Sequence, residues 1–107
     1  MRIDHLAIWC KDIEAMRRFY TTYFGCVSNQ KYHNPKKQFS SYFLSFSDGC
    51  RIELMHRPDI AEMLQSKNDT FGIAHFAINV GSEENVNALT ERLRNDGVAI
   101  AGEPRRT

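Results

Sequence analysis

The 107-residue sequence predicts an α+β fold built from repeated β-α-β-β-β modules, and three observations carry that prediction. A strand-like segment recurs: Ile3-Asp4-His5-Leu6-Ala7-Ile8-Trp9-Cys10 matches Ile73-Ala74-His75-Phe76-Ala77-Ile78-Asn79-Val80, about 70 positions later, with Ile, His, Ala and Ile coinciding. Each copy is followed by a capping residue, an apolar stripe at helical spacing and a glycine stop, in the same order. Between the copies lie three segments with strand composition, separated by turn residues. A strand alone could match by chance; strand, cap, helix and stop together argue for duplication.

The elements follow in order. After the first strand, Asp12 is placed as an N-cap, and Ile13, Met16, Phe19 or Tyr20, and Tyr23 form one helical face that Gly25 ends. Cys26 to His33 reads as the next strand, closed by a turn at Asn34-Pro35-Lys36-Lys37, where proline cannot donate to a ladder. Phe39 to Phe46 is an aromatic-rich strand, and Asp48-Gly49 signals a tight hairpin into Cys50 to His56. Residues 57–71 form a linker opened by Pro58, with one helical turn expected near Ile60 to Leu64. In the second module, Ser82 caps a helix with Glu83 and Glu84 in its first turn, where negative charge suits the helix dipole. Val86, Leu89 and Leu93 give its stripe, Gly97 its stop, and Val98 to Ala101 a second strand. The chain therefore divides into module 1 at about 1–56, a linker at about 57–71 and an incomplete module 2 at about 72–107, within a single domain.

Composition narrows the function. With 42% hydrophobic and 25% charged residues, the chain resembles an ordinary globular protein. Fourteen Lys plus Arg against thirteen Asp plus Glu leave a charge of +1, which gives no electrostatic case for nucleic acid or an anionic membrane. No apolar run approaches the ~20 residues of a membrane span, and the opening lacks a signal-peptide core, so a soluble cytoplasmic chain is expected. Cys10, Cys26 and Cys50 are odd in number and form no C-x-x-C pair; reduced thiols, buried or half-buried, are the expectation. No P-loop, G-x-G-x-x-G or G-x-S-x-G is present, which removes support for phosphate-cradling loops and serine hydrolases.

Strand parity selects the candidate site. Leu6 and Ile8 share the face that the following helix must cover, which leaves His5 on the other side; Phe76 and Ile78 place His75 likewise. Ile52 and Leu54 take the helix-covered face of their strand and put Glu53 with the histidines. A lone strand histidine is ordinarily a hydrogen-bonded core residue, and a lone glutamate an exposed one. A carboxylate turned inward with two imidazoles is different, because it is costly unless a cation or proton balances it. His5, Glu53 and His75 are therefore the candidate metal ligands. His56 has core parity and is read as capping or core, and His33 as solvated beside its turn. Lys36-Lys37 and Arg105-Arg106 read as ordinary exposed charge, although either could meet a substrate carboxylate. Phe39 and Phe43 share the face opposite Tyr42, Leu44 and Phe46, and are candidates for lining a substrate pocket.

The segments I-D-H-L-A-I, F-Y-T-T-Y-F-G-C, R-I-E-L-M and G-I-A-H-F-A-I-N-V together resemble the vicinal oxygen chelate superfamily. This superfamily includes glyoxalase I (lactoylglutathione lyase), bleomycin-resistance proteins, methylmalonyl-CoA epimerase and extradiol dioxygenases. The resemblance covers essentially the whole chain and implies paired modules whose curved mixed sheets enclose a central cleft for metal and substrate. It implies His5, Glu53 and His75 as metal ligands, with one divalent ion drawn from Zn, Ni, Co, Mn or Fe. It further implies a metal-dependent lyase or isomerase acting on a small thiol-linked substrate through a metal-stabilised enediolate, with Glu53 as ligand or base. The alternatives are a metal-free small-molecule-binding protein of the bleomycin-resistance type and a ring-cleaving dioxygenase. A homodimer is implied as well, with His75 contributed by a partner chain or by the second module of the same chain.

The sequence departs from that pattern in one place. The glyoxalase-like fourth ligand is a glutamate on the last strand, and no such strand follows Gly97 in these residues. If the repeat is a duplication, the counterpart of Glu53 falls about 70 to 72 residues later, past Thr107. The expectation is that a natural chain continues to about 125 residues with an Asp-, Pro- and Gly-rich turn and a Glu-bearing strand, or that a partner covers the gap.

Overall fold

The structure, a computed structural model, describes residues 1–62 and 70–106. The chain forms two compact units, Met1–Met63 and Leu64–Thr107. The first holds β1 (His5–Trp9), α1 (Ile13–Phe24), β2 (Val27–Ser28), β3 (Tyr32–Asn34), β4 (Phe39–Ser45) and β5 (Arg51–His56); the second holds α2 (Glu83–Asn95).

The first unit is α+β, with an unclosed mixed sheet in the order β1-β5-β4-β2 and β3 on the same edge of β4 as β2. β1 runs parallel to β5, as a strand returning after a helical crossover can, and the remaining pairs are antiparallel. α1 starts where Asp12 accepts from the Ala15 amide at 3.0 Å. It ends at Gly25, whose φ of 64° lets its N–H reach the Tyr20 carbonyl. α1 packs on β4 and β5. Ile13, Tyr20, Cys26, Tyr42, Leu44, Ile52 and Leu54 are buried, whereas Leu6, Ile8 and Phe46 of the expected core set are half-buried. Cys10 and Cys50 are half-buried.

The strand expected over Cys26 to His33 is interrupted. Five positions from Ser28 to Tyr32 oppose four from Leu44 to Ser41, which is one extra residue and hence a β-bulge. The Asn29 side chain bridges the gap: its Oδ1 accepts from the Phe43 N–H at 2.8 Å while its own N–H donates to the Phe43 carbonyl at 3.0 Å. The hairpin before β5 is also looser than a two-residue turn, although Gly49 takes the positive φ of 80° expected of it. The helical turn expected near Ile60 to Leu64 falls partly outside the described residues; Ile60 N–H closes a turn onto the Arg57 carbonyl at 3.3 Å.

The second unit corrects the reading of two strands. Among the described residues, neither Ile73–Val80 nor Val98–Ala101 joins a ladder. A strand exists only through a partner, and two short strands without further company are marginal in water. The helix between them forms as expected: the Ser82 hydroxyl accepts from the Asn85 amide at 3.1 Å. At its end the Val98 N–H returns to the Leu93 carbonyl at 2.9 Å around Gly97, whose φ is 84°. No residue of α2 is buried, and Phe71, Ile73 and Phe76 are exposed.

One polar network fastens α1 to the sheet. The Tyr42 hydroxyl donates to both Glu14 oxygens at 2.9 and 3.0 Å, Lys31 pairs with Glu14 at 3.1 Å, and the Arg17 guanidinium lies 5.1 Å above the Tyr42 ring. Lys31 and Tyr42 hold the Glu14 carboxyl below its ordinary value, so its stabilising share is present above pH about 4.5 and is lost as pH falls. Burial, and then Glu14, push the Tyr42 hydroxyl up, so above pH about 10 the unfolded chain ionises first and stability falls again. Tyr42→Phe should cost on the order of 1 kcal/mol in urea unfolding at pH 7 and flatten the acid limb of the stability profile. Identical midpoints for the two proteins would show that the network contributes nothing.

Candidate functional site

The register of β1 against β5 sets Ala7 beside Glu53, and β4 sets Phe43 on its other flank. His5 pairs with Arg51, so His5 and Glu53 stand diagonally across two strands on the side away from α1. The His5 Nε2 lies 3.6 Å from Glu53 Oε1, with side-chain exposures of 37% and 15%. Alanine at position 7 leaves the space that a longer side chain beside the carboxylate would fill.

Asp4 fixes the imidazole. Its Oδ2 accepts from His5 Nδ1 and from Arg51 Nη2, both at 2.8 Å. His5 first, and then Arg51, hold the Asp4 carboxyl below the usual carboxylate range, so at neutral pH it can only accept. The proton of a neutral His5 therefore sits on Nδ1, and the Nε2 lone pair is turned toward the carboxylate of Glu53. Two electron-rich atoms facing at 3.6 Å repel unless a proton or metal cation stands between them. Two ligands each about 2.1 Å from a shared ion lie roughly 3.0–3.4 Å apart at right-angle to tetrahedral geometry, so the pair fits a metal after a small contraction. An imidazole whose other nitrogen donates to a carboxylate is also the common arrangement around bound metals.

The structure brings His5, Glu53 and Phe43 together: the His5 and Phe43 rings meet edge-on at 5.1 Å, and the Arg51 guanidinium lies 4.5 Å over Phe43. His75 is an exposed residue of the second unit. Among the described residues, no group of three or more His, Cys, Asp and Glu side chains is placed to hold an ion. Phe39 lies farther along the same face, edge-on to Trp9 at 6.2 Å. His56 Nδ1 donates to the Cys10 carbonyl at 2.9 Å, the capping role read for it. His33 is exposed and bonds Ser40 at 2.9 Å.

Sequence reasoning missed Asp4, Arg51, Trp9 and Arg57. Trp9 has the parity of His5 and Arg51 that of Glu53, so alternation could have found both; Arg57 follows the last residue of β5, where the alternation does not reach. Asp4 could not be found that way, because β1 begins at His5 and the alternation does not extend to the preceding residue.

An open mixed sheet with a helix on one face and an acid–imidazole pair on the other defines a class of small modular proteins. The model of the Glyoxalase/Bleomycin resistance protein/Dioxygenase superfamily matches residues 2–107, and the chain belongs to that family. It is 30% identical over 105 residues to the "Uncharacterized protein YwkD" of Bacillus subtilis (strain 168), covering 98% of this chain and 77% of that protein. The solved glyoxalase I of Leishmania major shares its fold with a TM-score of 0.74 at 22% identity, over 98% of this chain and 73% of its own. A mutant of the fosfomycin resistance protein FosX from Listeria monocytogenes, complexed with Mn(II) and 1S,2S-dihydroxypropylphosphonic acid, superposes with a TM-score of 0.67 at 22% identity, over 97% and 75%. At these identities the two structures speak for the fold alone. Among the described residues, no helix is long and apolar enough to cross a membrane.

Asp4→Ala should release His5 from the Nδ1–H form toward the Nε2–H form that free imidazole prefers. Long-range 1H–15N correlation spectra of the ring report this directly; an unchanged tautomer would show that Asp4 does not orient His5.

Proposed function

We propose that the protein is a metal-dependent lyase or isomerase that moves a proton on a small thiol-linked substrate, with His5, Glu53 and His75 as the ligands of one divalent ion. The observation that carries this reading is His5 Nε2 set 3.6 Å from Glu53 Oε1, a pair of atoms that a metal cation between them would satisfy. Membership of the Glyoxalase/Bleomycin resistance protein/Dioxygenase superfamily supports the same direction. Zn, Ni, Co, Mn and Fe suit the mixed imidazole and carboxylate set.

A bound divalent ion supplies Lewis-acid polarisation of a substrate carbonyl and offsets the charge of Glu53. The protein does the rest. Asp4 keeps His5 in its binding tautomer, and Arg51 keeps Asp4 ionised. The Glu53 oxygen turned away from His5 takes the proton from the carbon beside the carbonyl and returns it to the neighbouring carbon. Phe43 shields the carboxylate from water on one flank. His75 is supplied by the second unit of this chain or by that of a second copy, which makes a homodimer part of the proposal.

Metal analysis after anaerobic reconstitution, paired with a hemithioacetal isomerisation assay, tests the reading. The chain should hold stoichiometric metal, and His5→Ala and His75→Ala should each weaken it at least about tenfold without loss of helix content. Glu53→Gln should lower kcat by roughly 10²–10⁴. Full metal content in His5→Ala would sink the proposal. A wild-type chain that takes up no metal yet binds aromatic compounds tightly would instead be a metal-free binding protein.

A further inference from the structure

Two neighbouring serines of β4 are buried, and their hydroxyls differ. Ser40 is 8% exposed, and its Oγ meets His33 Nδ1 at 2.9 Å. Ser41 is 3% exposed, yet among the described residues its hydroxyl bonds to no other group. A buried hydroxyl without a partner is costly, because the water it gave up is not replaced. Among the described residues, no wholly enclosed side-chain oxygen or nitrogen lacks a partner, so the Ser41 oxygen still reaches the surface. It is set low, and it is unsatisfied.

Alternation and register decide which surface it reaches. Ser41 shares a side with Phe39 and Phe43, opposite the buried Tyr42 and Leu44 that pack under α1. Its cross-strand neighbours on that side are Met55 of β5 and Tyr32 of β3. Phe43, two residues on, is paired with Glu53, so Ser41 stands on the diagonal to Glu53. That diagonal is roughly 7–8 Å. The flanking rings are engaged elsewhere: Phe43 with His5 at 5.1 Å, Phe39 with Trp9 and Tyr32 at 6.2 and 6.1 Å. A serine between two phenylalanines is shorter by a whole ring, so its hydroxyl forms the floor of a hollow beside the carboxylate.

We infer that Ser41 is a specificity-determining residue of the site at His5 and Glu53, its hydroxyl binding a neutral oxygen that the substrate carries one carbon beyond the reacting pair of carbons. The inference rests on the reading of Glu53 as the base and adds a substituent that the reading leaves open. A serine hydroxyl both donates and accepts, so a hydroxyl or a carbonyl oxygen satisfies it. None of Met55, Tyr32, Phe39 and Phe43 carries a charge at neutral pH, so the hollow favours an uncharged oxygen over an anion. With hydrogen bonds of about 2.8 Å at each end, a three-carbon chain covers the diagonal from Glu53. A methyl group in the same place would leave the hydroxyl unpaired, and a site built on such a bond discriminates against it.

Hydroxyacetone and dihydroxyacetone test this, because they differ only by one oxygen on the far carbon. Trp9, the chain's single tryptophan, is level with Met55, which is level with Ser41, so its emission reports on the hollow. The full chain is titrated with each ketone, with and without Zn(II). Dihydroxyacetone should bind roughly three- to tenfold more tightly. Ser41→Ala should erase that preference by weakening dihydroxyacetone alone, while Ser47→Ala, at an exposed position, should keep it. Ser41→Ala removes no hydrogen bond among the described residues, so its urea midpoint should match that of the wild type. A chain that takes up no Zn(II) and turns over no hemithioacetal, yet keeps the Ser41-dependent preference, would refute the lyase reading and uphold this one. No saturable response to either ketone, equal affinity for the two, a preference that survives in Ser41→Ala, or a lowered urea midpoint in that variant would overturn the inference, whatever the turnover.

Discussion

The parallel register between β1 and β5 is the constraint on which the candidate site depends. It fixes three things together: Ala7 beside Glu53, His5 on the diagonal to it, and Trp9 level with Met55. A slip of β1 by one residue would turn His5, Ala7 and Trp9 under α1 and bring Leu6 and Ile8 to the open face. The register is held because Leu44, Ile52 and Leu54 are nearly or fully buried against the helix and cannot be exchanged for Glu53 without burying a charge. Packing on one face thus determines the chemistry on the other.

The open face divides the work along its length. Near the start of β1, Arg51, Asp4, His5 and Glu53 follow one another, and the last approach, from Nε2 to Oε1, brings two electron-rich atoms to 3.6 Å. A cation at that approach is the element that the proposed function supplies. Toward the other end, the aromatic path of Phe39 and Trp9 leads to positive charge at Arg57.

Much of this was legible in the sequence. The Asp12 and Ser82 caps, the Gly25 and Gly97 stops and the alternation in the β5 residues are local signals, and each is met in the structure. Parity alone placed His5 and Glu53 on one side. What was not legible depends on tertiary context. The bulge at Asn29 arises because a side-chain amide takes up part of a backbone ladder, and composition cannot announce that. The Ile73 segment copies the first strand closely in sequence, yet among the described residues it joins no ladder. The place of His75 in the site therefore remains a proposal resting on its likeness to His5 and on the family, while Glu53 and His5 already stand within 3.6 Å of each other.

If the His5–Glu53 pair is a cation site, titration of the full chain with Co(II), followed by the visible d–d absorption and the paramagnetic shifts of the His5 ring protons, gives a saturable band at stoichiometric cobalt and strongly shifted His5 resonances, both lost in Glu53→Gln. Unshifted His5 resonances at saturating cobalt, or an unaltered band in Glu53→Gln, would show that no cation binds there.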